Sequence, residues 1–241
     1  MKQRKQQAAT KGKRKEKATG AAAPQPRHGQ QPHGYQPSCV EGEEELPVAT
    51  WEEIDLAEMK GPTDWSNWAV KDSLLVGAYP KKMALLSSIL EQGITRFVCL
   101  MTDKELERQG TLYYYRAKQM LEENPKAFAQ RSDDLQYVHF PIYDRGVADD
   151  EVVISLVNDL RRWMHNGEKI YLHCRGGHGR TGTIVSILFG KHYGLSPQEA
   201  MDLCQRYHDT REDVSSNAAA NFRSPESNPQ RSQVFRILSS T

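Results

Sequence analysis

The hydrophobic residues of this 241-residue chain fall into short continuous runs, separated by longer segments in which they recur every three or four positions. Short apolar runs bounded by Gly, Pro or polar residues are typical of buried strands, and the wider spacing is typical of amphipathic helices. We predict strands in SLLVGAYP (73–80), TRFVCLM (95–101), QYVHFPI (136–142) and KIYLHC (169–174). Because these runs alternate with helical segments, we expect an α/β domain with a mostly parallel central sheet flanked by helices.

The helical segments carry start and stop signals. Gly194 follows a long apolar stripe and predicts its end, and Ser196 with Glu199 three residues later forms a capping-box pattern. Ser227 with Gln230 repeats that pattern and predicts a C-terminal helix. Helices are thus expected at about 83–90, in the segment 103–131 where Pro125 ends the helix, and at 149–165, 180–193, 196–208 and 227–239.

The chain begins with a basic segment. Residues 1–38 hold nine Lys and Arg and one acidic residue, whereas the whole chain has a net charge of +1, so the rest is acidic by about seven charges. With few large apolar side chains, this segment cannot bury enough surface to fold. We expect a disordered basic tail and acidic linker over 1–48 and one domain over 49–241, with its core at about 70–209.

The role of the tail stays open at this point. KGKRKEK (11–17) has the composition of a nuclear-import or weak nucleic-acid patch, and equally of a solvated charge run. The acid-poor start also resembles an organelle transit peptide, although it is not rich in serine. No apolar run reaches the length of a membrane span and no signal-peptide core is present, so we expect a cytoplasmic or nuclear protein without a span.

The four cysteines, Cys39, Cys99, Cys174 and Cys204, are widely spaced and form no C-x-x-C pair. This spacing argues against a zinc site and against a disulfide framework. We expect Cys99 and Cys204 to be core residues, since free cysteine is among the most buried residue types. A regulatory disulfide with Cys174 would require one of them to lie beside it.

The segment YLHCRGGHGRTG (171–182) joins the last predicted strand to an apolar helix. A tight loop at a helix N-terminus gathers backbone N–H groups around one point and binds an anion there. Arg180 can hold two phosphate oxygens with its planar guanidinium, and a cysteine in this field loses its proton more readily. Cys174 is therefore expected to be a thiolate nucleophile. The close backbone approach is permitted by Gly176, Gly177 and Gly179.

The residues HCRGGHGRTG (173–182) match H-C-x5-R-[S/T]-G, the signature of cysteine-dependent protein tyrosine and dual-specificity phosphatases. The chain is similar to the compact dual-specificity-like members of this superfamily, more loosely over residues 70–209. The resemblance implies the phosphatase fold of that type, no metal and no cofactor. It also implies that loop amides and side chains bind the phosphate, through Arg175, Gly176, Gly177, His178, Gly179 and Arg180.

Three other interpretations of the loop are weaker. Gly177, Gly179 and Gly182 also spell the dinucleotide fingerprint G-x-G-x-x-G, but a helix stands where that fold needs a second strand ending in an acid. Sulfur-transfer domains resembling rhodanese usually have a shorter loop than the five residues between Cys174 and Arg180. A buried structural cysteine would leave the arginine and the glycines unexplained.

The resemblance implies nucleophilic attack by the cysteine on phosphorus, with an aspartic acid protonating the leaving oxygen and later activating water. Asp144 in FPIYDRGV lies 30 residues before Cys174, directly after a predicted strand, and matches the family's position for that acid. An ordinary turn aspartate would look the same. Asp149 and Asp150 are rivals, although helix capping explains them better.

Supporting roles are also implied by the family. Thr181 is expected to hydrogen-bond the cysteine sulfur and help it leave, and His173 is expected to orient the loop. Gln230 resembles a glutamine by which some relatives position the hydrolytic water, but its place in a capping box is explanation enough. Arg175 and His178 are expected to face incoming substrate and, with Arg180, to make the mouth of the site basic.

A phosphorylated protein is the favoured substrate, through phosphotyrosine and also phosphoserine or phosphothreonine. An inositol polyphosphate or phosphoinositide is the alternative, because relatives acting on such compounds carry basic residues at the same two loop positions. A non-catalytic phosphate-binding adaptor is less favoured, since candidates for the nucleophile, the arginine and the acid are all present. The oligomeric state is not readable from the sequence.

Overall fold

The short apolar runs form the strands of one sheet in the computed structural model, which describes residues 35–37, 55–109, 112–215 and 222–240. The strands are β1 (Ser66–Val70), β2 (Leu74–Gly77), β3 (Arg96–Cys99), β4 (Gln136–His139) and β5 (Ile170–His173). Their order in the sheet is β1-β2-β5-β3-β4. All neighbours run parallel except β1 and β2, so the mostly parallel α/β sheet is confirmed.

The strands are nearly continuous apolar runs because both faces of the parallel part of the sheet are covered. Every residue of β2 and β5 is buried. The antiparallel β1 was not among the predicted strands. It begins with the polar residues Ser66 and Asn67, which are buried and hydrogen-bonded, so its sequence lacks an apolar pattern.

Helices fill the intervals between the strands, as predicted. They are α1 (Met83–Leu90), α2 (Asp103–Glu107), α3 (Tyr113–Glu123), α4 (Asp150–His165), α5 (Gly179–Tyr193), α6 (Pro197–His208), α7 (Glu212–Ser215) and α8 (Asn228–Ser239). The predicted helical stretch 103–131 is in fact two helices, α2 and α3, and it ends before Pro125. Helix α5 contacts α4, α6 and α8, and its residues 179–190 are all buried.

The predicted helix ends are confirmed. Gly194 follows α5 in the left-handed conformation (φ 67°), which glycine adopts without steric cost. Both capping boxes form, Ser196 with Glu199 at α6 and Ser227 with Gln230 at α8. These ends fix the direction of three helices around the loop that follows β5.

The prediction of disorder concerns residues that mostly lie outside the described ones. The predicted domain start near residue 48 also lies outside them. Tyr35 is an exception, because it is buried, its hydroxyl donates to Asp159, and its ring packs edge-on against Phe140 at 5.1 Å. Tyr35 therefore packs against the domain. In the part of the chain that the structure describes, no helix is long and apolar enough to cross a bilayer.

Candidate active site

Cys174 directly follows β5 and lies at the beginning of the loop that leads into α5. We call residues 174–180 the phosphate loop. The Cys174 side chain is buried, and the Gly177 N–H donates to its Sγ at 3.2 Å. Gly177 has φ 75°, and a Cβ there would lie 2.4 Å from the Gly77 carbonyl at the end of β2. Only glycine fits this position, so the turn holds an N–H group on the sulfur.

Arg180 reaches from the first turn of α5 into the centre of the site and is only 2% exposed. Its Nη1 donates to the carbonyl of Ile142 at 2.9 Å, and its Nη2 donates to Oδ1 of Asp144 at 3.2 Å. The structure therefore brings together the predicted arginine and the predicted acid. Among the described residues, no hydrogen bond uses Nε of Arg180, so one edge of the guanidinium can meet an anion.

Glu105 is a member of the site that was not predicted from the sequence. It accepts two hydrogen bonds from Arg180, at 2.7 Å to Nη1 and 2.9 Å to Nη2, in a bidentate pair. Burial alone would raise the pKa of the Glu105 carboxyl, but the bonds from Arg180 and Thr102 lower it overall. Glu105 thus balances the charge of the buried arginine and fixes its orientation.

Glu105→Gln is expected to lower kcat/KM by about 10-fold and to reduce stability by about 1–3 kcal/mol, because a buried cation loses its charged partner. Phosphate release and urea unfolding measure the two effects. Glu107→Gln is the matched control, since Glu107 lies on the same helix α2 and is exposed. Equal behaviour of the two variants would show that Glu105 does not position the arginine.

Asp144 lies on an exposed turn between β4 and α4, and its side chain is 66% exposed. The next residue, Arg145, has φ 59°, a conformation that is uncommon for a residue with a side chain. Residues 222–230 hold this turn, because Glu226 pairs with Arg145 at 2.7 Å and the Ser227 hydroxyl donates to the Arg145 carbonyl at 2.9 Å. The C-terminal segment therefore fixes the position of Asp144.

The rivals of Asp144 lie at the N-terminus of α4. Asp149 is the N-cap residue, although its side chain forms no capping hydrogen bond, and Asp150 pairs with Arg236 and accepts from Gln233. The hydrogen bond from Arg236, together with that from Gln233, lowers the pKa of Asp150, although its burial acts in the opposite direction. Neither residue is hydrogen-bonded to Arg180, whereas Asp144 is.

His173 lies beneath the phosphate loop and is fully buried. Its Nδ1 lies 3.0 Å from the Cys174 carbonyl oxygen. Because a carbonyl can only accept a hydrogen bond, Nδ1 carries the proton. The other ring nitrogen, Nε2, therefore accepts from the Tyr113 hydroxyl at 2.7 Å. Burial lowers the pKa of His173 to about 4. A neutral His173 that ties the loop to α3 fits the predicted orienting role.

The two weaker site predictions fare differently. Thr181 is buried, but its Oγ1 has no hydrogen-bond partner, so the predicted bond to the Cys174 sulfur is not formed. Gln230 accepts from the N–H groups of Glu226 and Ser227 and donates to the Gly146 carbonyl at 3.3 Å. Its side chain packs against Gly179 and braces the phosphate loop; a role with water stays a prediction.

His178 differs from its predicted character. Its ring stacks on Phe222 at 4.4 Å, and its Nδ1 lies 2.8 Å from Nε2 of His208. Burial, together with the charge of Arg211, lowers the pKa of His178 to about 4 and that of His208 to about 2. His178 is therefore neutral near pH 7, and the expectation that it makes the mouth basic is wrong.

Buried neutral histidines make stability depend on pH. The folded pKa values of about 4, 4 and 2 for His173, His178 and His208 lie below the ordinary 6.5. Their stabilising contribution is complete above about pH 6.5 and is lost as the pH falls toward 4, because the unfolded chain binds protons first. Urea unfolding at about pH 7.5 and 5.5 should show a loss of about 1 kcal/mol per histidine.

His208→Gln should reduce that pH dependence, and His165→Gln, at an exposed position on α4, should leave it unchanged. If His208→Gln loses stability with pH to the same extent as the wild type and His165→Gln, His208 is not a cause of the pH dependence.

A second buried arginine lies behind the phosphate loop. Arg211 is 1% exposed, donates through Nε to Oδ1 of Asn67 at 2.6 Å and reaches the Gly176 carbonyl at 3.5 Å. Burial lowers its pKa, and nearby negative groups including Asp213 oppose that shift. Sequence reasoning missed Arg211 because its partners lie far away along the chain.

The other described cysteines are buried free thiols, as predicted for core residues. Burial raises the pKa of Cys99 to about 12 and also raises that of Cys204. Cys99 pairs in register with His173 across β3 and β5, next to Cys174. Within the described residues, no group of three His, Cys, Asp or Glu side chains is arranged to hold a metal ion.

Solved structures and curated relatives resemble this chain. Tk-PTP in its active form superposes with a TM-score of 0.53 at 19% identity, covering 73% of this chain and 97% of that one, a likeness that shows the fold. "Putative tyrosine phosphatase 067L" of Invertebrate iridescent virus 3 is 30% identical over 112 residues, 45% of this chain and 46% of the viral protein.

A second viral relative, "Putative tyrosine phosphatase 197R" of Invertebrate iridescent virus 6, is 30% identical over 133 residues, 53% of this chain and 42% of the relative. The chain spans less than half the length of these two curated relatives. The family described as "PTP-SAK: Swiss Army Knife protein, DSP-PTPase phosphatase domain" matches residues 63–234. That range contains all five strands, Glu105, Asp144 and the phosphate loop, and the chain belongs to this family of dual-specificity and tyrosine phosphatases.

Proposed function

We propose that the protein is a cysteine-dependent phosphomonoesterase that acts on phosphoproteins. The observation that carries this proposal is the convergence of the phosphate loop, Arg180 and Asp144: Gly177 donates to the Cys174 sulfur, and Arg180 contacts Asp144 at 3.2 Å. A nucleophile, an anion-binding loop and an acid thus lie at one end of the sheet, where α/β proteins bind ligands.

In the first step, the Cys174 thiolate attacks phosphorus, and the bond between phosphorus and the leaving oxygen breaks as Asp144 gives that oxygen its proton. Loop N–H groups and Arg180 stabilise the negative charge on the transferring oxygens. Nη2 of Arg180 would exchange its bond to Asp144 for one to the phosphate, which frees the acid to meet the leaving group.

In the second step, water attacks the phosphocysteine, the phosphorus–sulfur bond breaks, and the Asp144 carboxylate takes the proton of the water. The products are inorganic phosphate and the regenerated thiolate. His173, neutral and bonded to Tyr113 and to the Cys174 carbonyl, would hold the backbone of Cys174 in place during both steps.

The substrate proposal is tested by phosphate release from phosphotyrosine and phosphothreonine peptides, inositol hexakisphosphate and inositol lipids. We expect release from the peptides, with phosphotyrosine included among the good substrates. Release confined to the inositol compounds would replace the proposed phosphoprotein activity with the alternative. If no compound is hydrolysed although phosphate still binds, the domain is a phosphate-binding module.

A further inference from the structure

A groove of about 500 Å³ lies beside the phosphate loop. It shares Arg175, Gly176 and His178 with the loop. Its size lies in the range of ligand-binding clefts in proteins. The mechanism described above uses none of its other side chains, so the groove is available to the part of the substrate that surrounds the phosphate.

The segment after β2 forms one side of this groove and is fixed to the phosphate loop. The Tyr79 N–H donates to the Arg175 carbonyl at 3.1 Å, and the Lys81 N–H donates back to the Tyr79 carbonyl. Lys81 and Lys82 both line the groove and are exposed, as is Arg175. Three cationic side chains therefore stand at its rim, at positions set by the backbone.

These cations lack partners of their own. Within the described ranges, neither an ion pair nor a side-chain hydrogen bond is formed by Lys81, Lys82 or Arg175. The lining also includes Asp213, which interacts with the buried Arg211. Because the chain beyond the tail has a net negative charge, three unpaired cations in a groove beside the phosphate loop point to a negatively charged ligand.

The wall of the groove indicates what kind of molecule carries that charge. It is mostly apolar and aromatic, with Trp65, Tyr79, Pro80, Leu85 and Phe222 among its residues. The ring of neutral His178, stacked on Phe222, continues this surface to the loop. An inositol ring surrounded by phosphates has no apolar part to place there, whereas a peptide chain offers apolar and acidic side chains together.

We propose that this groove binds acidic residues next to the phosphorylated residue of a protein substrate. This inference rests on the proposed phosphoprotein activity. Carboxylates of the bound segment meet Lys81, Lys82 and Arg175 at the rim, and its neighbouring apolar side chains pack between Tyr79 and Phe222. The groove thus selects among phosphoproteins, and the phosphate loop carries out the hydrolysis.

The test compares three phosphotyrosine peptides that differ only in the residues beside the phosphotyrosine: Asp and Glu, the corresponding amides, or Lys. At low ionic strength, kcat/KM for the acidic peptide should exceed that for the amide peptide by about 5-fold, and the difference should shrink in high salt. Lys81→Glu and Lys82→Glu should each lower kcat/KM for the acidic peptide by about 5-fold.

Two controls isolate the groove. Lys126→Glu makes the same change in net charge at an exposed position outside the groove and should leave the peptide preference unchanged. Hydrolysis of para-nitrophenyl phosphate, which carries no amino-acid residues beside its phosphate, should be equal in all variants. Equal turnover of the three peptides, or an equal effect of Lys126→Glu, would overturn the groove proposal while the phosphoprotein activity stands. Hydrolysis of inositol phosphates but of no peptide would overturn both.

Discussion

Cys174→Ser is expected to lower phosphate release by about 10⁴–10⁶-fold, to the level of the background. The serine hydroxyl is a far weaker acid than a thiol, so it does not supply an anionic nucleophile near pH 7. The fold should be retained, because the two side chains differ by one atom and the serine oxygen can still accept the Gly177 N–H. Initial rates with a phosphotyrosine peptide, beside an unfolding curve, measure both properties.

Cys204→Ser is the matched control for this variant. Cys204 is also buried, at 4% exposure, and its sulfur lies 3.6 Å from the Gly182 carbonyl and from the Ser224 hydroxyl, so a serine there keeps hydrogen-bond partners. Activity should survive in Cys204→Ser. If Cys174→Ser remained active, or if both variants lost activity to the same extent, Cys174 would not be the nucleophile.

The parts of the site that lie close together in sequence were predictable. Cys174 and Arg180 belong to one strand–loop–helix unit, whose glycines and helix start are visible as a local pattern. Asp144 was identified from its separation from Cys174 along the sequence and from its place directly after a strand. The resemblance to phosphatases supplied both criteria. The capping pairs at α6 and α8 were predictable for the same reason, since each lies within four residues.

The parts that depend on distant residues were not predictable. Glu105 already has a local role as the third residue of the capping box of α2, and its partner Arg180 lies 75 residues away. The neutrality of His178 depends on its burial, to which Phe222 contributes, and on the charge of Arg211, and both residues reach it only in the folded chain. Burial therefore makes His178 neutral, whereas its residue type alone had indicated a basic side chain.

The strand β1 illustrates the same limit in the fold. Ser66 and Asn67 are buried polar residues, and the sequence pattern of a strand is read from apolar ones. Ser66 is satisfied by Thr63, and Asn67 accepts from Arg211 of the turn after α6. These bonds also connect the edge of the sheet to the back of the phosphate loop, through Arg211 and the Gly176 carbonyl.

Asp144→Asn is expected to lower kcat for phosphopeptides by about 10²–10⁴-fold, because the amide cannot give a proton to the leaving oxygen or take one from water. The amide oxygen can still accept from Nη2 of Arg180, so the geometry of the site should remain. Asp149→Asn is the matched control, since Asn is also a good N-cap residue for α4 and that variant should keep its activity.

The leaving group provides the sharper measurement of the role of Asp144. A nitrophenolate leaves without a proton more easily than the tyrosine phenolate, so formation of the phosphocysteine from para-nitrophenyl phosphate should suffer less in Asp144→Asn than formation from a phosphotyrosine peptide. Single-turnover rates with the two substrates isolate this step from hydrolysis of the intermediate. An equal loss with both substrates would mean that Asp144 only positions Arg180, through their 3.2 Å contact, and that another group donates the proton.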